Sequence, residues 1–562
     1  MKKALTLVLA CCLLLALLAG CGNAPKSSGA SASAPATEAP AASGTDAPAP
    51  ETGEPTQKPE PTAGYVEVAL PLTEEPVSFT YLNAINPQIA IHFETYGDIS
   101  VYAELAKRTG VHFETMDIPM PAMSEQFSVL LSADSLPDYV NNGNDYYSGG
   151  ALAAVEDGVF VNIADYLDAA PNFAYLLTTD EVIYRTSYCA ENFIGAFFQF
   201  LSEPQFKNGY VARQDWLDEA GYTGSIETYD DWYDMLTALA AAGHKGAYGW
   251  QAGDGGDAFV AAGMGLNCYS GQRAAESQFS LIDGKVSYTG IEDSYLDYLT
   301  LMNKWYSEGL IFADSATLSS MSRSYTINNA VQESAIGVSI IEKTNISAYE
   351  DMIDGAKFTP IAQPTKTGSE QVHYSRYGSR VQTSNYCITT NCENPELLIR
   401  FIDYMYSEDG QFLCNWGLEG EAHTIGEDGK PQWTELVYAN PDGLSVDFAA
   451  SLYALDMGPF VEDAHRYDSV LSETELKAGE VWGSNVDRAW MYPSYVPIPV
   501  EDAAEHAVLW NDISTFVQES TFKFINGEKP LSDWASYVES IKAMGLDRCI
   551  EIHQNAYDAY IG

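Results

Sequence analysis

Apolar Val77, Phe79 and Tyr81 alternate with Ser78 and Thr80, the period of a half-buried strand. Ser100 to Thr109 follows with helical spacing closed by Gly110, and Val111, Phe113 and Thr115 then alternate again. Further short strands are expected near Tyr139 and over residues 159–163. A second series starts at Tyr210. Thr228, with Asp231 three residues on, forms a capping-box variant, and Trp232, Met235, Leu236 and Leu239 fall on one helical face. Residues 335–341 and 358–361 read as buried strands. Asn394 and Pro395 open a helix with Leu398, Phe401, Ile402 and Met405 on its inner stripe. From Val500 the pattern is helical, broken at Asn526-Gly527 and Gly545-Leu546. Strands alternating with helices indicate an α/β protein with βαβ units and a largely parallel sheet. A single core stops growing at about 250–300 residues, so a body running from Tyr65 to Gly562 needs at least two lobes.

The N-terminus follows a different pattern. Met1-Lys2-Lys3 leads into an apolar run over 4–18 and then Leu18-Ala19-Gly20-Cys21. Two lysines, a short apolar stretch and small residues make a secretory signal peptide over 1–20. The run is shorter than the ~20 residues of a membrane span. Its ending resembles the lipobox of bacterial lipoproteins, where the peptide is removed and the cysteine carries the lipid, palmitate included. Cys21 is therefore the expected lipidation site. Residues 22–64 hold no Val, Ile, Leu, Met or aromatic residue, so the segment cannot bury enough apolar surface to order itself. It reads as a Pro/Ala/Ser/Thr linker spanning on the order of 35 Å. The expected location is the extracytoplasmic face of the cell membrane, with the lipid as the only membrane contact.

Charge and motifs narrow the function. The chain has 28 Lys and Arg against 78 Asp and Glu, a formal charge of −50, which opposes nucleic acid as a partner. Beyond the signal, Cys189, Cys268, Cys387, Cys392, Cys414 and Cys549 are too sparse for a disulfide framework and read as buried thiols. There is no P-loop, no dinucleotide glycine motif and no GxSxG elbow, the eight histidines are scattered, and Cys387-x4-Cys392 has no second pair to make a zinc site. The sequence thus points to no cofactor. The positive signal is aromatic: 36 Tyr, 22 Phe and 10 Trp. Tyr and Trp offer a flat apolar face with a polar edge, which suits a sugar. Trp232 and Trp305 lie within amphipathic helices and read as packing.

Several blocks occur in order: Asp98 to Val111, Ser124-Glu125-Gln126-Phe127 with Leu136-Pro137-Asp138, Gly209 to Leu217, and Lys304-Trp305-Tyr306-Ser307-Glu308-Gly309-Leu310-Ile311. Phe524-Ile525-Asn526-Gly527 with Trp534, Gly545-Leu546 and Ala556-Tyr557-Asp558 complete the series. Together they resemble the extracellular solute-binding proteins of carbohydrate ABC importers, in the large lipoprotein branch related to alginate-oligosaccharide-binding proteins. The resemblance implies a two-lobed, type II periplasmic-binding-protein-like fold with interleaved lobes and a hinge that closes on ligand. It places lobe one at 65–197 plus 358–392 and lobe two at 198–357 plus 393–562. It also implies a monomeric, non-enzymatic receptor that hands a saccharide to the membrane subunits of an importer. Relatives often carry a calcium loop after the helix holding Trp232; here 240–247 has no carboxylate, so no metal is expected. Ligand residues should follow strand carboxyl ends. Asn144, Asp145, Tyr146 and Tyr147 are the candidates in lobe one, and Trp250 and Glu342 in lobe two. Arg376 and Tyr377 lie in the return loop. A surface glycoside hydrolase and a receptor for a non-sugar ligand such as a peptide remain the alternatives.

Overall fold

A computed structural model describes residues 64–561 except 86–90, 94, 191, 251–259, 267–278, 317–327, 374–379, 488–491 and 494–495. The expected signal peptide, Cys21 and nearly all of the linker lie outside the described residues, as do Arg376, Tyr377 and Cys268.

The nine strands of the two larger sheets among the described residues place the rest. They are β1 (Val77–Ile85), β2 (Val111–Pro119), β3 (Tyr139–Asn141), β4 (Phe197–Leu201), β5 (Asn208–Arg213), β6 (Val338–Glu342), β7 (Phe358–Pro360), β8 (Val381–Ile388) and β9 (Val461–Glu462). The first sheet has the order β9-β4-β8-β3-β1-β2, and the second the order β6-β5-β7. In the first, β1 runs parallel to β2 and β3, while β8 is antiparallel to both β3 and β4. In the second, β5 is antiparallel to β6 and to β7. The first sheet is thus mixed and the second antiparallel, where a largely parallel sheet was expected. The reason is topological: β5 has just left the first sheet and β8 returns to it, so each runs against its neighbours.

Local chemistry explains the helices. Helix α1 (Ser100–Thr109) ends at Gly110, whose φ of 80° lets its N–H reach Ala106 O at 2.8 Å. Helix α2 (Tyr229–Ala242) has the capping box read from the sequence, with Thr228 Oγ accepting from Asp231 N at 3.0 Å. Helix α3 (Asp293–Ser307) buries Trp305 beside Trp232, rings parallel at 6.4 Å. Helix α4 (Pro395–Tyr406) is capped by Asn394, followed by α5 (Glu408–Trp416). Within α4, Asp403 accepts from the backbone N–H of Asn172 and Phe173 at 2.8 and 2.9 Å, tying the start of the helix Pro171–Thr179 to the core. Burial holds Asp403 up at about 6 although those bonds pull the other way.

Residues 159–163 are not a strand. Phe160 makes one bridge to Thr389, and Asn162 then caps a 3-10 helix by accepting from Ala164 N. That local side-chain bond outweighs the alternation. The C-terminal pattern resolves into α6 (Val500–Ile525), α7 (Trp534–Ala543) and α8 (Leu546–Ile561).

The buried side chains divide between the two sheets. One core holds β1–β4, β8, α1 and the inner faces of α4 and α5. A second holds Tyr210, Ala212, α2, α3 and residues of α6, α7 and α8. Val211 faces a third cluster with Ile341 and Trp482, so β5 is buried on both faces, which is why it reads as a continuous apolar run. Gly209 is required there, since a Cβ would lie 2.3 Å from the Trp482 ring. Helices α4 and α5, expected with the second lobe, pack in the first core because Leu398, Phe401, Ile402 and Met405 face the first sheet's residues.

Candidate functional site

Strand β5 enters the second sheet at Asn208, directly after the crossover from β4, so the edge carrying Asn208 is the one nearest the first sheet. β6 and β7 both run against β5, and Tyr248 bridges Val338 in parallel. The carboxyl ends of these three segments therefore leave the sheet on that edge, at Trp250, Glu342 and Ile361. Carboxyl ends at such an edge are where ligands bind in open α/β sheets.

On the first sheet, the corresponding edge is rich in Asn and Asp. Asn83 and Asp117 are register partners, with Asn83 Nδ2 donating to Asp117 Oδ1 at 3.0 Å. Asp117 also accepts from Tyr96 N and Thr115 Oγ. Asn141 ends β3 at 1% exposure with its Oδ1 unpartnered. Asn142 follows in the left-handed region at φ 56°, a conformation asparagine tolerates, and exchanges bonds with Asn385 at 2.7 and 3.1 Å.

The sequence candidates beside it divide by what they touch. Asn144 accepts from Cys387 Sγ while its N–H donates to Asn385 Oδ1. Asp145 accepts from Asn385 Nδ2 at 3.4 Å, and burial pushes its carboxyl up to about 6. These two knit the turn Gly143–Tyr146 to β8. Tyr146 packs against Phe127, and Tyr147 donates its hydroxyl to Asp157 at 2.7 Å while its ring meets Phe160. Burial, with Asp157 adding to it, holds the Tyr147 hydroxyl up at about 12. Both tyrosines belong to the margin of the first core.

On the second sheet, Trp250 stands at the expected edge but is 1% exposed and packs in the second core. Its ring is covered as fully as that of Trp232. The Trp250 indole N–H nevertheless has no protein acceptor. Glu342 is half-buried at the end of β6 opposite Asn208. Gln363, three residues beyond β7, is 1% exposed, and neither amide atom has a partner among the described residues. Asn83, Asp117, Asn141 and Gln363 were not singled out from the sequence. The available signal was a polar residue at or just past a strand's carboxyl end.

Between the two edges runs a buried ionic network. Lys207, in the crossover, donates to both oxygens of Glu462 on β9 at 2.8 and 3.0 Å, and its carbonyl accepts from Lys343 N just after β6. Gln199 Nε2 adds a bond to Glu462 at 3.0 Å, and Arg466 lies 3.6 Å away. Burial raises the Glu462 carboxyl, but Lys207 and Arg466 outweigh it and leave the group below its usual range. The stretch expected to lack a calcium loop is used for packing, with His244 stacked on Trp216 at 3.9 Å. Among the described residues no cluster of three or more His, Cys, Asp or Glu could hold a metal ion. No helix among them is long and apolar enough to cross a membrane.

Residues 98–412, more than half of the chain, match the family model described as bacterial extracellular solute-binding protein. Lipoprotein LipO of Bacillus subtilis (strain 168) is 24% identical over 341 residues, covering 57% of this chain and 63% of LipO. The fructooligosaccharide ABC transporter substrate-binding protein FusA of Streptococcus pneumoniae serotype 4 is 22% identical over 498 residues, 82% of this chain and 87% of FusA. Among solved structures, alginate-binding protein AlgQ2 without calcium ion superposes with a TM-score of 0.70 at 20% identity, covering 87% of this chain and 99% of AlgQ2. FusA in complex with kestose gives 0.68 at 18% identity, over 86% of this chain and 99% of FusA. These structural matches establish the shared two-lobed fold.

Proposed function

Because the chain belongs to the bacterial extracellular solute-binding protein family, we propose that it is a lipid-anchored receptor that captures a saccharide between its lobes and delivers it to an ABC importer. The observation that carries this reading is the pair of polar strand-end edges, Asn83–Asp117–Asn141 and Trp250–Glu342–Gln363, on the two sides of the Lys207 crossover. Buried polar atoms left without a partner among the described residues, at Asn141, Trp250 and Gln363, suit a ligand covered in hydroxyl groups. The first lobe is read as β1–β4 with β8, α4 and α5, and the second as β5–β7 with α2, α3 and the C-terminal helices. Cys21 is read as the acylated anchor, with residues 22–64 as the spacer between lipid and body.

The test is a panel of oligosaccharides followed by calorimetry and thermal melting. A receptor binds one stoichiometrically, rises in melting temperature and returns it intact, since binding to the folded state alone must stabilise it. Steady cleavage of the sugar would point to the hydrolase alternative, and stabilisation by peptides alone to a non-sugar receptor. The Cys21→Ala variant should leave the membrane fraction or accumulate unprocessed; normal processing with continued membrane attachment would refute the anchor.

A further inference from the structure

We infer that Gln363 contacts the ligand and reads two neighbouring hydroxyl groups on an uncharged sugar. This rests on the saccharide-receptor reading and deepens it by naming the ligand's charge class.

Gln363 leaves the second sheet beyond β7, on the edge shared with Trp250 and Glu342. It is 1% exposed, and among the described residues neither the Nε2 donor nor the Oε1 acceptor has a partner. Native proteins pair the great majority of such buried atoms, because an unmet one destabilises the fold. The loop that carries it is held at both ends. Ile361 N donates to Tyr210 O at 2.9 Å, and Thr365 N to Glu227 O at 3.0 Å. Pro364 between them has no N–H to offer the amide, and its carbonyl sits so close to Gly263 that a Cβ there would lie 2.1 Å away. The backbone is thus held on both sides of a buried, unpaired amide, a cost to stability that a ligand contact would offset.

The chemistry of the amide selects among ligands. It donates and accepts at once, and so does each hydroxyl of a vicinal pair, so a diol can satisfy both atoms. An ionised carboxylate only accepts; it would satisfy Nε2 and leave Oε1 facing a second acceptor. The surroundings agree. Glu342 shares this edge, and on the opposite edge Asp117 accepts three hydrogen bonds from its neighbours. Of the cations at the crossover, Lys207 and Arg466 are directed at Glu462, Lys343 Nζ at Gln205 Oε1 and Arg380 Nε at Leu201 O.

The experiment compares wild type with Gln363→Leu, using thermal melting without sugar and calorimetric titration with neutral tri- and tetrasaccharides and with an alginate oligosaccharide. The expected result is an unchanged or higher melting temperature for Gln363→Leu, with affinity for the neutral sugar reduced about 10- to 100-fold. Wild type should prefer the neutral sugar to the acidic one. If Gln363→Leu binds within about twofold of wild type, the inference fails while the receptor reading stands; tighter wild-type binding of the alginate oligosaccharide overturns it equally. If wild type binds none of these sugars, the receptor reading falls and the inference with it. Should the leucine variant not fold, Gln363→Met, which keeps the unbranched stem, carries the same comparison.

Discussion

At the scale of single residues, burial decides what a tryptophan does. Trp232 and Trp250 are 0% and 1% exposed. Truncating either to alanine should cost about 3–5 kcal/mol in urea unfolding, as for other large core side chains. For Trp232 the sequence already says so, because its position at i of an i, i+3, i+4, i+7 stripe fixes the face it occupies. Trp250 follows a strand, and there the pattern locates the residue at a sheet edge without saying which way the ring turns. The same limit applies to Asn144, Asp145, Tyr146 and Tyr147. Their place after β3 was legible, but the bonds to Asn385, Cys387 and Asp157 come from residues 10 to 243 positions away. Near-normal stability with weakened sugar binding in Trp250→Ala would show that the residue serves the ligand more than the core.

At the scale of elements, legibility follows locality. The cap, stripe and glycine stop of α2 all lie within sixteen residues of one another, and the helix forms as read. Thr228→Ala should cost about 1 kcal/mol, measured by chemical denaturation, since it removes the acceptor for Asp231 N. Strand direction is not local. Nothing in residues 381–388 says that the chain returns to the first sheet against its neighbours, so the mixed first sheet could not be read. Helix contacts far apart in sequence also carry a pH dependence. His553 on α8 meets His506 on α6 at 3.0 Å and Tyr492 Oη at 3.0 Å, and burial, with His506 beside it, holds His553 down at about 3. Unfolded, it would titrate near 6.5. Between those values the unfolded chain binds the extra proton, so this contribution to stability is present above about 6.5 and is lost as the pH falls. Melting from pH 7.5 to 5.0 should show a loss on the order of 2 kcal/mol from this group. His553→Gln should flatten that slope; an equally steep slope in the variant would assign the acid sensitivity elsewhere.

At the scale of the whole molecule, the crossover joining the two sheets is tied by Lys207 to a buried carboxylate. Glu462 is 2% exposed and is the common acceptor for Lys207 and Gln199, while Lys207 is bonded through its own carbonyl to Lys343 at the second sheet. Removing one partner of a buried pair leaves the other charge uncompensated, at a cost of about 3–5 kcal/mol. Glu462→Gln should therefore destabilise the protein by about that amount in urea, and the deficit should change little with salt, because buried charges are poorly screened. Glu462 is covered, and both of its oxygens are already taken by Lys207 and Gln199. Affinity in the fraction that remains folded should accordingly stay within a few-fold of wild type, unlike a substitution at Gln363. A variant that keeps its stability but loses ligand would show that Glu462 belongs to the binding surface and that the cleft floor extends to β9.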